Sequence, residues 1–241
     1  MIYIIGIGPG GSAKYLSKHA LEVIQKLDEA IYVGEMIGPE IRGLFSPDKL
    51  KVGRFTFEEV YNDLKKAFSS NSNFAILVPG DPSIYSGQDG RERTVGQYIE
   101  LIKSSQCEFE IIPGVSSWMA LCAKAGLDMT DFDSSQGVMV LSLERMVSTS
   151  ANKKLDIPSL DKILSNRPSL ALFQSYACRK ELPSILAQYY HPDSKVIIGY
   201  KVSWPDERIV QMTLSDFIKI KLDESLAKHS IILILSKNLT L

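Results

Sequence analysis

Cysteine and histidine are scarce in this sequence, and neither is arranged as a metal site or a disulfide framework would require. The 3 cysteines, Cys107, Cys122 and Cys178, lie far apart, and no CxxC pair occurs. An odd count leaves one thiol unpaired, so the pattern argues against a disulfide framework and against structural zinc. The 3 histidines are equally scattered. We therefore expect buried, inert thiols in a reducing compartment, structural or surface histidines, and no metal site.

An excess of charge of either sign and a long apolar segment are also missing. The 27 Lys and Arg residues against 28 Asp and Glu residues give a formal net charge of −1. No global positive field therefore exists to hold nucleic acid. No apolar stretch approaches the roughly 20 residues of a membrane-spanning helix, and the N-terminus shows no signal peptide. These absences predict a cytoplasmic protein that has neither nucleic acid nor a membrane as partner.

The composition is otherwise that of an ordinary folded protein. Hydrophobic residues make up 45% and charged residues 23% of the 241 positions. These fractions lie close to globular averages, which excludes wholesale disorder. A chain of this length is enough for one large domain or for two modest ones.

The first half alternates buried strands with amphipathic helices. Helices are predicted after Ser12 and Thr56, where a capping side chain precedes apolar residues at helical spacing, and around residues 94–103. A series of such β-α-β units predicts a mostly parallel sheet covered by helices. Its strands are predicted from apolar runs at residues 2–7, 30–33, 74–78 and 108–112.

The pattern changes after Pro113 and Gly114. A helix of small residues is predicted at residues 116–125, and the strands that follow outnumber the helices. The third and fourth of these strands are close enough for a hairpin, which predicts a mixed sheet. The predicted strands are residues 137–143, 169–173, 196–201, 208–213 and 231–235. We therefore predict an α/β fold of two domains, residues 1–113 and 114–241, each with a sheet flanked by helices.

A glycine-rich loop separates the first predicted strand from the first helix. Gly6, Gly8 and Gly11 match the GxGxxG pattern of dinucleotide-binding folds, and Glu35 lies beyond the next strand, where such folds keep a ribose-binding acid. Glycines let a backbone approach a ligand closely, and free N–H groups at a helix start attract anionic oxygen. Pro9 removes one of these donors. The same residues also fit a turn that binds no ligand.

A second motif follows the predicted strand at residues 74–78. Its sequence is Pro-Gly-Asp-Pro-Ser-Ile-Tyr, and it begins at Pro79. A rigid loop at the carboxyl end of a strand lies where open α/β sheets bind ligands. Asp81 could accept hydrogen bonds from a ribose or an amino group, and Ile84 could form an apolar wall. Gly-Asp-Pro is also ordinary turn composition.

Two further motifs lie after residue 112. Pro-Gly-Val-Ser-Ser ends one strand and opens a helix, where Ser116 fits a simple helix cap as well as a ligand contact. Ser-Trp-Pro-Asp-Glu-Arg, which begins at Ser203, predicts a shaped turn between the two hairpin strands. Taken alone, Trp204 fits a place in the core better than a site.

Together the four motifs resemble those of the tetrapyrrole methylases, which are S-adenosylmethionine-dependent enzymes of corrinoid and sirohaem synthesis. The resemblance covers essentially the whole chain, with the motifs in the family's order and spacing. It implies two α/β domains that meet at a cleft for the methyl donor, and a homodimer. Residues 80–85, 113–117 and 202–214 are most similar to the branch that methylates precorrin-4 or cobalt-precorrin-4 at C11 in cobalamin synthesis. Two departures are Gly11 and Val202, where the family usually has Asp and Ala.

The resemblance also implies roles for individual residues. The N-terminal domain would hold the tetrapyrrole, with Gly8, Gly10 and Gly11 on the floor of a trough and an acid, Glu35, assisting proton loss. Cationic side chains would bind the carboxylates of the ring; the candidates are Arg42, Arg54, Arg91 and Arg93. Contacts to S-adenosylmethionine, and to its product S-adenosylhomocysteine, would come from Pro9, Pro79, Gly80, Asp81, Ile84, Ser116, Ser117, Gln174 and Val202.

Other functions stay open on the residues alone. Within the same family, the position methylated could be C20, C17 or C5, or the substrate could be uroporphyrinogen III. The fold could also serve a diphthamide or ribosomal RNA methylase. From a different class, an oxidoreductase could bind a dinucleotide through the glycine loop, although this would leave the Asp81 and Ser116 motifs without a role. A non-catalytic binding module has little support beyond the missing acid at position 11.

Overall fold

The chain folds into two compact units. The first comprises Met1–Ser117 and Ser203–Pro205, and the second comprises Trp118–Val202 and Asp206–Leu241. The units therefore divide at the start of a helix rather than at residue 113, and the segment at residues 203–205 packs with the first unit. The computed structural model describes residues 1–34, 36–84, 95–130, 135, 137–146, 156–220 and 229–236.

The first unit contains a five-stranded parallel sheet. Its strands are β1 (Ile2–Gly6), β2 (Glu29–Val33), β3 (Leu50–Gly53), β4 (Phe74–Val78) and β5 (Phe109–Ile112). They lie in the order β3-β2-β4-β1-β5, and every neighbouring pair is parallel, which confirms the predicted sheet. Strand β3 is an addition to the predicted strands, because this short edge strand has no buried residue and therefore no apolar run.

Helices cover both faces of this sheet. The connections through α1 and α2 lead toward β3, and those through α3 and α4 lead back toward β5. Because these crossover connections share the same handedness, α1 and α2 lie on one face of the sheet and α3 and α4 lie on the other. A separate hydrophobic cluster forms on each face. All five strands consequently end at the same edge. The helices are α1 (Lys18–Ile24), α2 (Pro39–Arg42), α3 (Phe57–Ser70) and α4 (Val95–Ser104).

The helix starts show where local sequence decides structure. Thr56 begins α3 as predicted, because its hydroxyl accepts a hydrogen bond from the Glu59 amide while the Glu59 carboxylate accepts one from the Thr56 amide. The helix predicted after Ser12, in contrast, does not begin there. Ser12 begins only a short 3-10 turn, and α1 begins later, at a separate cap formed by Ser17.

The second unit contains a five-stranded mixed sheet. Its strands are β6 (Val138–Ser142), β7 (Ser169–Phe173), β8 (Lys195–Tyr200), β9 (Arg208–Thr213) and β10 (Ser230–Leu235). They lie in the order β6-β7-β10-β8-β9, with β6 and β7 parallel and the other pairs antiparallel. The predicted hairpin between β8 and β9 is therefore confirmed, as is the α/β fold class.

Helices also flank this second sheet. Helix α5 (Ser117–Ala125) packs closely, since a Cβ atom on Gly199 of β8 would lie 2.6 Å from Leu121 Cδ2. A single hydrophobic cluster gathers residues of β6, β7, β8 and β10 with the remaining helices. These helices, which the sequence analysis did not predict, are α6 (Ile157–Leu164), α7 (Leu182–Leu186) and α8 (Leu214–Phe217).

The described cysteines are free thiols. Burial raises the pKa of the Cys122 thiol to about 11 and that of the Cys178 thiol to about 12, so both are protonated and unreactive near neutral pH. Cys107 is half-buried. None of the helices in the described part of the chain combines the length and the apolar character needed to cross a bilayer.

Replacement of Leu64 tests the core of the first unit. Leu64 is 0% exposed on α3, and Leu64→Ala leaves a cavity that should lower the free energy of unfolding by about 2–5 kcal/mol. Asn62→Ala changes an exposed position on the same helix and should stay within about 0.5 kcal/mol of the parent. Urea unfolding followed by circular dichroism measures both, and equal losses would contradict the assignment of Leu64 to the core.

Candidate functional site

Three of the sequence motifs meet at one edge of the parallel sheet. Three neighbouring strands lie in the order β4-β1-β5, with β5 at the edge of the sheet, and the loops at residues 79–84, 7–11 and 113–116 leave from their carboxyl ends. In open parallel sheets, ligands bind outside this edge. The strand order therefore brings together motifs that are widely separated in the sequence.

Glycines join these three loops backbone to backbone. The Gly8 amide donates to the Gly80 carbonyl at 3.3 Å, and the Gly80 amide donates to the Gly8 carbonyl at 2.6 Å. A Cβ atom on Gly6 would lie 2.6 Å from the Gly114 nitrogen. One on Gly114 would lie 2.2 Å from the Gly80 oxygen. No larger residue fits at Gly6 or Gly114 unless a loop moves, so the motifs form one packed unit.

Asp81 ties two of the loops together. Its Oδ2 accepts a hydrogen bond from the Gly114 amide at 3.0 Å. Its Oδ1 accepts one from the Ser83 amide at 2.8 Å and another from the Ser83 hydroxyl. The carboxylate that the sequence analysis assigned to a ligand therefore also has a structural role. Its direct contact with a cofactor stays a prediction.

The loop after β1 is held by the segment at residues 203–205. The Gly11 amide donates to Ser203 Oγ at 3.1 Å, and Trp204 Nε1 donates to the Pro9 carbonyl at 3.4 Å. Trp204 is thus half-buried against the glycine loop and not in the hydrophobic core. A Cβ atom on Gly11 would lie 2.7 Å from the Ser203 backbone, which gives a steric reason for glycine where the family usually has an acid.

An acid that the sequence analysis missed also reaches this loop. Glu40 Oε2 accepts hydrogen bonds from Ser12 Oγ at 2.7 Å and from the Ala13 amide at 2.9 Å. These hydrogen bonds, together with the nearby Lys14 charge, lower the pKa of Glu40 below its ordinary value. The available signal was Gly-Pro-Glu, since proline and an acid in the first turn are typical of a helix start.

Other predicted contacts lie close to these loops. Ser116 is 3% exposed, and its Cα lies 4.0 Å from the position that a Cβ atom on Gly80 would occupy. Ser117 begins α5. The Ile84 amide donates to the Asp81 carbonyl at 3.2 Å, and Pro79 is exposed.

The predicted substrate cations are only partly placed. Arg42 is exposed at the end of α2 and lines a groove of about 650 Å³, whose apolar walls include Phe45, Leu50 and Val52. Arg54 is exposed and directly follows β3, whose end lies at the same edge of the sheet as the three loops. The other two predicted cations, Arg91 and Arg93, fall outside the described residues. So does Glu35, the acid predicted to assist proton loss.

Two predicted cofactor contacts belong to the second unit. Gln174 directly follows β7 in the left-handed backbone region, with φ of 55°, and its side-chain oxygen accepts a hydrogen bond from Ser142 Oγ. Val202 is 4% exposed and follows β8. In the described part of the chain, no three His, Cys, Asp or Glu side chains are grouped as a metal site would require.

Comparison with known proteins gives the class to which this fold and these motifs belong. The sequence profile described as Tetrapyrrole (Corrin/Porphyrin) Methylases matches residues 1–218. The chain therefore belongs to the tetrapyrrole methylase family, which confirms the resemblance found from the motifs.

Individual relatives carry more specific names than the family does. The chain is 25% identical over 238 residues to the cobalt-precorrin-4 C(11)-methyltransferase of Priestia megaterium, covering 96% of this chain and 86% of that one. It is 25% identical over 218 residues to the precorrin-4 C(11)-methyltransferase of Pseudomonas aeruginosa, covering 90% and 82%.

Solved structures show the same fold. The X-ray structure of a cobalt precorrin-4 methyltransferase is similar with a TM-score of 0.80 and 24% identity, covering 97% of this chain and 93% of that one. The uroporphyrin-III C-methyltransferase of Thermus thermophilus, complexed with S-adenosyl homocysteine, gives a TM-score of 0.73 at 18% identity, covering 97% and 96%.

The glycine contacts make a direct prediction. Gly114→Ala introduces a Cβ atom 2.2 Å from the Gly80 oxygen, so the two loops must separate. We expect the free energy of unfolding to fall by about 1–3 kcal/mol, as in other overpacked sites. Gly53→Ala is the matched control at the end of β3, since its Cβ atom would lie 3.6 Å from Phe55, an ordinary contact. Thermal unfolding of both variants checks this, and a fully stable Gly114→Ala protein would contradict the close packing.

Proposed function

We propose that this protein transfers a methyl group from S-adenosylmethionine to C11 of precorrin-4 or cobalt-precorrin-4 in cobalamin biosynthesis. Membership of the tetrapyrrole methylase family supports the reaction class, and the names of the relatives support this substrate. The observation that carries the proposal is the edge of the parallel sheet, where Gly6, Gly80 and Gly114 lock the three family motifs together.

The residues at this edge fit an adenosyl ligand. Gly80 has φ of 71°, and its missing Cβ faces open space apart from Ser116 Cα at 4.0 Å. The loop therefore offers accessible backbone at Pro79 and Gly80, and it also carries the half-buried apolar residue Ile84. Backbone groups and apolar walls of this kind are typical of small-molecule sites. In our proposal the full set of contacts is Pro9, Pro79, Gly80, Asp81, Ile84, Ser116, Ser117, Gln174 and Val202.

Alignment is the main task of the protein in this reaction. S-adenosylmethionine supplies an already activated methyl group, so no side chain has to act as a covalent nucleophile. The hydrogen bonds of Asp81 and the glycine contacts hold the loops in one arrangement before ligands bind, which reduces the ordering that alignment would otherwise cost.

The ring substrate needs a flat surface and cations. Gly8 and Gly10 have φ of 68° and 86°, a backbone conformation that favours glycine, and we propose that they form the floor of the trough together with Gly11. Arginine is suited to ring carboxylates because its planar fork binds them through two hydrogen bonds. We propose Arg42, Arg54, Arg91 and Arg93 for this task and Glu35 as the acid that assists proton loss.

The glycine loop is poorly arranged for a dinucleotide. Pyrophosphate would need free amides at the start of the helix that follows the loop. The Gly11 amide instead donates to Ser203, and the Ala13 amide donates to the Glu40 carboxylate, which would repel a phosphate. These contacts favour the methylase over the oxidoreductase.

The assembly and location of the protein are part of the same proposal. Homodimers are usual in the family that the motifs resemble, and we propose a homodimer in the cytoplasm. Light scattering of the pure protein measures its mass directly. A mass equal to the 26.8 kDa of one chain would contradict the dimer.

Cofactor binding distinguishes the two enzyme classes. Titration calorimetry with S-adenosylhomocysteine should show one site per chain, and NADH should give no heat of binding. We expect Asp81→Ala to weaken S-adenosylhomocysteine binding by about tenfold, because the loop after β4 loses its tie to Gly114. Asp48→Ala, at an exposed position, is the control and should bind as the parent does. NADH binding without S-adenosylhomocysteine binding would overturn the proposal.

The product identifies the substrate and the position methylated. The protein is incubated with ¹³C-methyl-labelled S-adenosylmethionine and, separately, with precorrin-4, cobalt-precorrin-4 and uroporphyrinogen III. We expect one added methyl by mass, and a labelled carbon at C11 by NMR, with one of the first two substrates. Methylation of uroporphyrinogen III, or at another ring position, would replace the proposed substrate while keeping the reaction class.

A further inference from the structure

The short helix α2 is docked on the glycine loop through its backbone. The Gly38 amide, just before the helix, donates to the Gly10 carbonyl at 2.6 Å. A Cβ atom on Gly38 would lie 2.3 Å from the Gly11 oxygen. The start of α2 and the turn of the loop are therefore in direct contact, with no side chain between them.

Glu40 makes a second attachment two residues further along the chain. Both of its hydrogen bonds, from the Ser12 hydroxyl and from the Ala13 amide, end on the same atom, Oε2. A charged acceptor strengthens such bonds. The backbone contact at Gly38 and the side-chain contact at Glu40 hold α2 against the loop at two separate points, which restricts rotation as well as translation.

Helix α2 also carries a candidate substrate residue. Arg42, at the end of the helix, lines the groove of about 650 Å³ beside β3. The helix is only four residues long, so few intrahelical hydrogen bonds support it. Ile41, which is 0% exposed, anchors the helix in the hydrophobic core, and the attachments at Gly38 and Glu40 fix its position relative to Gly8 and Gly10.

We propose that Glu40 is a positioning residue for methyl transfer, which sets the place of Arg42 relative to the glycine floor of the ring site. This inference rests on the proposed function. Glu40 accepts hydrogen bonds through one oxygen, touches no reacting atom and moves no proton. Its effect reaches the ring substrate only through the loop and the helix that it joins.

Two substitutions separate a positioning role from an acid–base role. Glu40→Gln keeps one side-chain oxygen, which can accept both hydrogen bonds, but it removes the charge and the basic carboxylate. Glu40→Ala removes both hydrogen bonds. Glu58→Ala is the matched control, because Glu58 is an exposed acid in the first turn of another helix, α3.

The first readout does not depend on activity. Amide hydrogen exchange of the full protein is followed in peptides that cover residues 6–16. We expect Glu40→Ala to speed exchange at residues 10–13 by about tenfold, since the Ala13 amide loses its acceptor and the turn loosens. Glu40→Gln should speed exchange much less than Glu40→Ala, because its amide oxygen still accepts both hydrogen bonds although more weakly, and Glu58→Ala should exchange as the parent does. Unchanged exchange in Glu40→Ala would overturn the attachment.

The second readout is steady-state methyl transfer. We expect Glu40→Ala to lower kcat/KM for the ring substrate by about tenfold to a hundredfold, mainly through KM, because the floor and Arg42 lose their alignment. Binding of S-adenosylhomocysteine should change by less than about twofold, and Glu40→Gln should restore most of the loss. An equal loss in Glu40→Gln and Glu40→Ala would overturn the positioning role in favour of acid–base chemistry.

A double variant tests whether Ser12 and Glu40 act together. If the hydroxyl works through the carboxylate, Ser12→Ala added to Glu40→Ala should cost little further activity, and the two losses should not add. Fully additive losses would contradict the linkage. A parent protein that methylates none of the three ring substrates would defeat the proposed function, whereas the exchange experiment would still decide the attachment.

Discussion

The structure of the first unit depends on a close approach of backbone segments that no side chain could allow. Gly6, Gly80 and Gly114 stand within van der Waals contact at the carboxyl ends of β1, β4 and β5, and a methyl group on Gly6 or Gly114 would overlap a neighbouring backbone atom. Hydrogen bonds between Gly8 and Gly80, and from Gly114 to Asp81, then make the arrangement specific. A loop that moved would break contacts with both of the others.

A site made of backbone suits the chemistry that we propose. The three loops present amides, carbonyls and glycine Cα atoms, while the thiols of Cys122 and Cys178 are buried and protonated. Methyl transfer from an activated donor needs two large ligands to be aligned and kept dry more than it needs a reactive side chain. At Gly80 the missing side chain leaves open space apart from Ser116 Cα, whereas at Gly6 and Gly114 neighbouring backbone fills that space. This close packing makes the loops rigid, and in our proposal the rigidity supplies the alignment.

The glycine loop is supported by segments that lie far from it in the sequence. Ser203 and Trp204, between β8 and β9, hydrogen-bond to Gly11 and Pro9, and Glu40 of α2 hydrogen-bonds to the residues that follow. The Ser203 backbone also occupies the space that a side chain at position 11 would need. The departure from the family pattern at Gly11 is therefore explained by the placement of residues 203–205, which leaves no space for a larger residue at position 11.

Most of the strands and the class of fold were determined by the sequence alone, because buried apolar runs such as the one in β4 and helix caps such as Thr56 act over short distances. The order of the strands within each sheet was not. The family, too, could be identified from four local motifs. Tertiary structure alone decided which motif residues touch. Asp81 bonds to Gly114, Trp204 packs on a loop rather than in the core, and Glu40 reaches Ser12. Such contacts depend on the distance in space between the ends of separate strands. The periodicity of the sequence gives no information about that distance.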